Sequence, residues 1–193
     1  MRDLALVVLT AGRSTRMGEP KALARRQGRP LIEHVLSPPW LRELGDVVVV
    51  LGHHAEAVRP VVERLGYRHV VNFDPDRGRT GSVQVGLRAL GESIQAVFVQ
   101  PVDCPLVREE TYNALAAAIG SADVAIPSYR GKRGHPPLLS ARIIPQILAA
   151  RPDAPLRDLL HTPGVVCREV EVDDPGVLLN LDRPEDVQGT LPS

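Results

Sequence analysis

Leu4-Ala5-Leu6-Val7-Val8-Leu9-Thr10-Ala11-Gly12-Arg13-Ser14-Thr15-Arg16-Met17-Gly18-Glu19-Pro20-Lys21 joins an apolar run to a loop of glycines, hydroxyls and cations. The near-continuous apolar character of Leu4 to Thr10 suits a strand buried on both faces, the habit of parallel sheets. Asp46 to Leu51, Tyr67 to Asn72 and Ile94 to Gln100 repeat the pattern in short, β-branched runs. Between them lie segments with apolar residues at spacings of three and four: Leu31, Ile32, Val35 and Leu36 in Pro30 to Trp40, then His54 to Leu65 and Thr80 to Leu90. Strand alternating with helix implies parallel pairing through right-handed crossovers, hence an α/β sheet covered by helices on both faces.

Beyond a helix over Glu109 to Ile119 and a strand over Asp123 to Pro127 the pattern changes. Tyr129 to Gly134 reads as a glycine-containing turn leading to an antiparallel strand at Leu138-Leu139. Helices are expected near Ala141 to Ala149 and Leu156 to Leu160, an edge strand over Val165 to Val172, and a terminal helix opening at Arg183-Pro184. With no repeat or linker in its 193 residues, the chain is expected to form one domain, residues 1–193.

Lys plus Arg and Asp plus Glu are balanced at 23 each, which excludes a surface tuned overall for nucleic acid or an anionic membrane. Any anion site is therefore local. The chain enters its first strand directly after Met1-Arg2-Asp3, without a secretory signal pattern or a membrane-length apolar stretch, so a cytoplasmic location is expected. Cys104 and Cys167 are too few and too isolated for a disulfide framework or a cysteine zinc site.

Chemistry concentrates in three places. The Gly12 loop stands at the carboxyl end of a buried strand, where open α/β sheets bind anions. Phosphate is the obvious anion: Arg13, Arg16 and Lys21 supply charge, and glycine lets the backbone approach. Neither a Walker A loop nor a dinucleotide fingerprint is present. Asp103, in Gln100-Pro101-Val102-Asp103-Cys104-Pro105, ends the Ile94 strand. It faces the same crevice if the strand order reverses beside the first strand, and then one well-placed carboxylate is enough to begin a Mg²⁺ site. Capping the helix after Pro105 is the competing role. Asp182 precedes Arg183-Pro184, where capping is again the default and is compatible with metal ligation.

Together these stretches resemble the MobA-like nucleotidyltransferase family, and within it the molybdenum cofactor cytidylyltransferase branch. The likeness runs through Gly28 to Val35, Gly78 to Leu90, Pro101 to Val107, Gly134-His135-Pro136 and Asn180 to Val187, so it covers essentially the whole chain. It implies a Rossmann-like three-layer α/β/α fold, mostly parallel with one antiparallel strand, and Mg²⁺ held by Asp103 and Asp182. It also implies transfer of NMP from an NTP to a phosphorylated, molybdopterin-type acceptor. Ala11 in Leu9-Thr10-Ala11-Gly12 resembles the loop that accompanies cytosine, hence CTP. The nucleotide set is then Leu9, Thr10, Ala11, Gly12, Arg13, Ser14, Arg16, Lys21, Gly81, Ser82, Pro101 and Asp103, with Lys21, Arg13 and Asp103 catalytic. Gly134, His135 and Pro136 face the acceptor, and a molybdoenzyme or its chaperone is an expected partner. Competing readings are a guanylyltransferase or another NTP-specific member, a non-catalytic nucleotide-binding module, and a redox enzyme acting on a heterocycle.

Overall fold

A computed structural model describes residues 1–189. In chain order the elements are β1 (Leu4–Leu9), the two-residue strands β2 (Arg25–Arg26) and β3 (Arg29–Pro30), α1 (Leu31–Leu36), β4 (Asp46–Leu51), α2 (Ala55–Arg64), β5 (Arg68–Val71), α3 (Arg79–Arg88) and β6 (Ala96–Pro101). There follow α4 (Glu109–Ala118), β7 (Val124–Tyr129), β8 (Lys132–Arg133), β9 (Leu138–Ser140), α5 (Ile144–Ala149), α6 (Leu156–Leu159), β10 (Cys167–Glu171) and α7 (Pro184–Gln188).

One sheet carries the fold in the order β10-β7-β9-β6-β1-β4-β5, with β8 paired to β7. β1 pairs in parallel with both β4 and β6, so the chain winds one way from β1 and returns to its other side. The anticipated reversal therefore falls between β1 and β6. β9 returns from the β7–β8 hairpin without a crossover helix and lies antiparallel to both β6 and β7. β10 takes the edge, as its alternation suggests.

Strand periodicity divides the core in two. Leu4, Leu6 and Val8 face one apolar cluster with Trp40, Phe98, Tyr112 and Leu115, while Ala5, Val7 and Leu9 face another with Val83, Leu87 and Ile147. Both faces of β1 are thus covered, which is why its sequence does not alternate. The expected Pro30–Trp40 helix is broken: α1 stops at Leu36, and Pro38-Pro39 begin a separate 3₁₀ turn over Pro39–Glu43. Proline removes the helical donor and biases the residue before it away from the helical region. No helix among the described residues is long and apolar enough to cross a membrane.

Helix α3 is buried on nearly every side, including Thr80, Ser82 and Gln84. Those polar groups are satisfied: Thr80 Oγ1 donates to the Ala154 carbonyl at 2.6 Å, and the Gln84 amide donates to the Ile147 and Ala150 carbonyls at 2.8 and 2.9 Å. Gly86 lets the helix lie against the sheet, since a Cβ there would stand 2.4 Å from Val7 Cγ1 and 3.0 Å from Val50 Cγ2, both on fully buried residues. Gly86→Ala gains helix propensity but overpacks this contact, so a net loss of about 1–3 kcal/mol is expected, read as a lower denaturant midpoint at unchanged slope. A midpoint equal to or above that of the parent would show that the α3–sheet contact is slack.

Candidate active site

The register of β1 against β6 sets Leu9 opposite Pro101, so the loops beginning at Thr10 and Val102 leave the sheet at the same level. Thr10 is fixed by both its amide and its hydroxyl to the Val50 carbonyl, each at 2.9 Å. Ser14 then turns the loop back with φ +55°, and its Oγ accepts the Lys21 amide at 2.9 Å, which aims Lys21 into the crevice. On the facing side, fully buried Gln100 staples the turn that carries Asp103. Its side-chain amide donates to the Pro101 and Cys104 carbonyls at 2.9 and 2.7 Å, while its Oε1 accepts the Tyr112 hydroxyl at 2.7 Å. The terminal segment is tied in by the Leu181 amide, which donates to the Asp103 carbonyl at 2.7 Å.

These constraints bring three segments to one point. Lys21 Nζ donates to Asp103 Oδ2 at 2.9 Å and to Asp182 Oδ1 at 2.6 Å. Arg16 Nη1 stands 3.7 Å from Asp182 Oδ2 on the solvent side. Neither aspartate caps a helix. The start of α4 is served by buried Asp174, whose Oδ2 accepts the Arg108 amide and the Thr111 hydroxyl at 2.8 Å each. That of α7 is served by Asp186, whose Oδ2 accepts the Asp182 and Arg183 amides. The bonds from Lys21 hold the Asp182 carboxyl below the usual carboxylate range. Burial pulls the Lys21 ammonium down, but its bonds to the two aspartates leave it above the ordinary lysine value.

A cavity of about 220 Å³ opens above this cluster, lined by Leu9 to Gly12, Ser14, Lys21, Ser82, Pro101 and Asp103 among the expected nucleotide residues. A Cβ at Gly12 would meet nothing within 4 Å. The protein's own packing therefore does not demand glycine there, whereas a ligand close to the backbone would. Two expected residues are otherwise engaged. Arg13 forms a two-pronged pair with Asp76 at the rim (2.7 and 2.5 Å), where His53 Nε2 also meets Asp76 at 2.8 Å. The Gly81 amide donates to the Pro152 carbonyl at 3.0 Å, so it faces the α5–α6 connection and not the cavity.

Beside it lies a larger cavity of about 840 Å³, lined on one side by Gly134 and His135 and on others by Lys132, Arg133, Arg157 and Leu160. Pro136 is buried behind it, joined to His135 by a cis bond, and Pro137 takes its place in the lining. Gly134 is required sterically: a Cβ would lie 2.3 Å from the Val177 carbonyl oxygen. Burial, then the charge of Arg79, push the His135 imidazole below its ordinary pKa, and its Nδ1 is buried without a partner. Arg79, Pro75, Gly78 and Val102 also line the first cavity. Sequence reading assigned them no role, since loop and helix-end residues carry no periodic signal.

Two carboxylates gathered around one cation form a hard oxygen set of the kind Mg²⁺ or Mn²⁺ uses alongside water and substrate phosphates, so Asp103 and Asp182 fit a divalent ion. Among the described residues no group of three or more His, Cys, Asp or Glu could hold a metal, so such an ion would depend on its ligand for further oxygens.

The sequence matches the MobA-like NTP transferase domain over residues 6–170. It is 37% identical over 132 residues to the bifunctional protein GlmU of Paracidovorax citrulli, covering 65% of this chain and 27% of that protein. It is 35% identical over 135 residues to the probable molybdenum cofactor guanylyltransferase of Bacillus licheniformis, covering 67% of this chain and 64% of that one. The chain thus spans about a quarter of the GlmU relative's length and just under two thirds of the guanylyltransferase's. Among solved structures, Rv0371c from Mycobacterium tuberculosis H37Rv superposes with a TM-score of 0.83 at 27% identity, over 95% of this chain and 94% of that one. Its complex with manganese gives 0.80 at 25% identity over 95% of each chain.

The Lys21 cluster has a definite pH signature. Asp182 has a depressed pKa, so its contribution to stability is complete above the unfolded value of about 3.9 and is lost as pH falls through the folded one. Lys21 is raised, so its contribution holds below about 10.4 and is lost as pH rises through its folded value. The difference in melting temperature between the parent and Lys21→Met should therefore be largest near neutrality and shrink below pH ~4. A difference that stays constant down to pH ~3 would dissolve the coupling.

Proposed function

Because this chain belongs to the MobA-like NTP transferase family, we propose that residues 1–193 act as one nucleotidyltransferase domain. It transfers NMP from an NTP, CTP foremost, to a phosphorylated acceptor of molybdopterin type and releases pyrophosphate. The observation that carries this reading is the meeting of Lys21, Asp103 and Asp182 at the mouth of a cavity floored by the Gly12 backbone.

A divalent ion on Asp103 and Asp182, Mg²⁺ by preference, would draw charge from the triphosphate as it develops. Lys21, which neutralises both carboxylates in the free protein, would supply its ammonium to the phosphates, and the Gly12 backbone could approach them where no Cβ intervenes. Arg16 lies at the entrance, and Arg13 reaches the phosphates on leaving Asp76. A phosphate monoester has a second pKa of about 6, so the acceptor is already an anionic nucleophile near neutrality and needs no dedicated base. Neutral His135 with its unpartnered Nδ1 suits a hydrogen-bonding role toward the acceptor in the adjoining cavity. The work of the protein is positioning and charge neutralisation.

Ala11 lines the donor cavity and favours CTP through its likeness to the cytosine-associated loop. GTP is the second reading, favoured by the relative whose name is guanylyltransferase. Metal-dependent turnover would set aside a purely binding role, and a requirement for NAD(P)H would revive the redox reading. A molybdoenzyme or its chaperone is the proposed recipient of the product, and the proposed setting is the cytoplasm.

Incubating the protein with CTP, GTP, ATP and UTP in turn, with Mg²⁺ and with or without a molybdopterin-type acceptor, should give pyrophosphate only in the complete mixture and fastest with CTP. Asp103→Ala should abolish that release while leaving the melting temperature near that of the parent, and Lys21→Ala should slow it at least tenfold, about 1.4 kcal/mol of transition-state stabilisation. Undiminished turnover by Asp103→Ala would overturn the assignment of the metal site.

A further inference from the structure

The donor cavity and the basic cavity beside it share a single lining residue among those described, Arg79. We infer that Arg79 is the phosphate clamp between them, holding the acceptor's phosphate against the nucleotide's α-phosphate during transfer. This rests on the nucleotidyl-transfer reading above.

Several cations around the two cavities are already paired. Lys21 is engaged by two aspartates, Arg13 by Asp76, and Arg133 by Glu169 at 2.7 Å. Among the described residues Arg79, Lys132 and Arg157 form no ion pair and no side-chain hydrogen bond, and of these three only Arg79 lines both cavities. Its location is also costly. It is the first residue of α3, after Gly78 with φ +117°, and the first turn holds no acidic residue. A cation at a helix amino end opposes the helix dipole. An anion placed there would meet the dipole and the guanidinium together. The Arg79 charge reaches the acceptor side, where after burial it is the next cause that lowers the His135 imidazole.

The chemistry suits this position. In the transfer step an acceptor phosphate oxygen forms a bond to the α-phosphorus, and the bond from that phosphorus to the oxygen bridging to the β-phosphate breaks. Pyrophosphate departs with the electron pair, so no oxidant, reductant or further proton is needed. Two anions must approach each other, and a planar fork of N–H donors can bind an oxygen of each while cancelling their repulsion. Lysine, a point charge, does this less well.

The test uses inorganic phosphate as probe and the full chain as it stands. The His135 imidazole resonance, assigned with His135→Gln, is followed by NMR as phosphate is added to the parent, Arg79→Gln and Arg79→Lys. The parent resonance should move on titration. Arg79→Gln should weaken phosphate at least tenfold without lowering the melting temperature, and Arg79→Lys should recover part of the loss. Phosphate binding by Arg79→Gln as tight as that of the parent would overturn the inference, as would a His135 resonance indifferent to phosphate in the parent. Pyrophosphate release from the NTP mixtures is measured in parallel. If the parent turns over no NTP, the functional reading and the transfer step fail, while the titration still decides whether Arg79 binds phosphate.

Discussion

Asp103 and Asp182 are 79 residues apart in sequence and like-charged, yet they approach one point because the Lys21 ammonium lies between them at 2.9 and 2.6 Å. Two carboxylates brought together repel, and partial burial strengthens the repulsion by lowering the effective dielectric. The ammonium converts that conflict into a tie among the β1 loop, the β6 loop and the terminal segment. Pairs of this kind offset desolvation only when the geometry is good. Here the geometry is imposed from beneath, by Gln100 on the Asp103 turn and by Ser14 on the Lys21 backbone. The cluster is therefore preorganised by the fold, and a divalent ion would inherit its arrangement of oxygens.

Helix α3 is the second determinant. It presses on β1 and β4 through Gly86 and on the α5–α6 connection through Gly81, where a Cβ would lie 3.2 Å from Pro152 Cβ. The helix is packed closely on both sides, and its first turn forms one wall of the cavity. Ser82 faces the donor cavity from that turn, its hydroxyl held by the Asn72 amide at 3.0 Å. The same packing explains why the Gly81 N–H is not presented to the cavity: it is taken by the Pro152 carbonyl.

What was legible in the sequence follows from the range of the interaction responsible. β1, β4 and β6 are readable because burial on both faces leaves an apolar run, and their parallel order follows from the helices between them. The Gly12 loop is readable because glycines, hydroxyls and cations gather at the carboxyl end of a buried strand. The meeting of the Lys21 loop with Asp103 is inferable from strand-end geometry, while Asp182 joins them only through what the family resemblance implies, and the ammonium bridge is legible in neither. Arg13 illustrates the limit. Its charge suggests phosphate, but its partner Asp76 lies 63 residues away on another loop, and no local pattern announces that pair. Arg79 escapes notice for a related reason: its significance is that two cavities meet at its side chain, a property of packing. The capping roles given to Asp103 and Asp182 by position belong to Asp174 and Asp186, because the helices start later than the aspartates suggest.

The two cavities are built to different tolerances, and this bears on how one fold can serve different acceptors. The donor side is made from the ends of fully buried strands, held by backbone bonds such as Val102 to Leu9 at 3.2 Å and Thr10 to Val50 at 2.9 Å, so a one-residue change there propagates into the sheet. The other cavity is walled by the short β8 hairpin, exposed basic side chains and the four-residue helix α6, which gives the core only Leu156 and the adjoining Leu160. Substitutions in such walls change charge and shape at small cost in stability. The sheet end can therefore persist while the neighbouring wall is remade. The residues that must stay constant through such changes are those touching both sides, and Arg79 occupies that position.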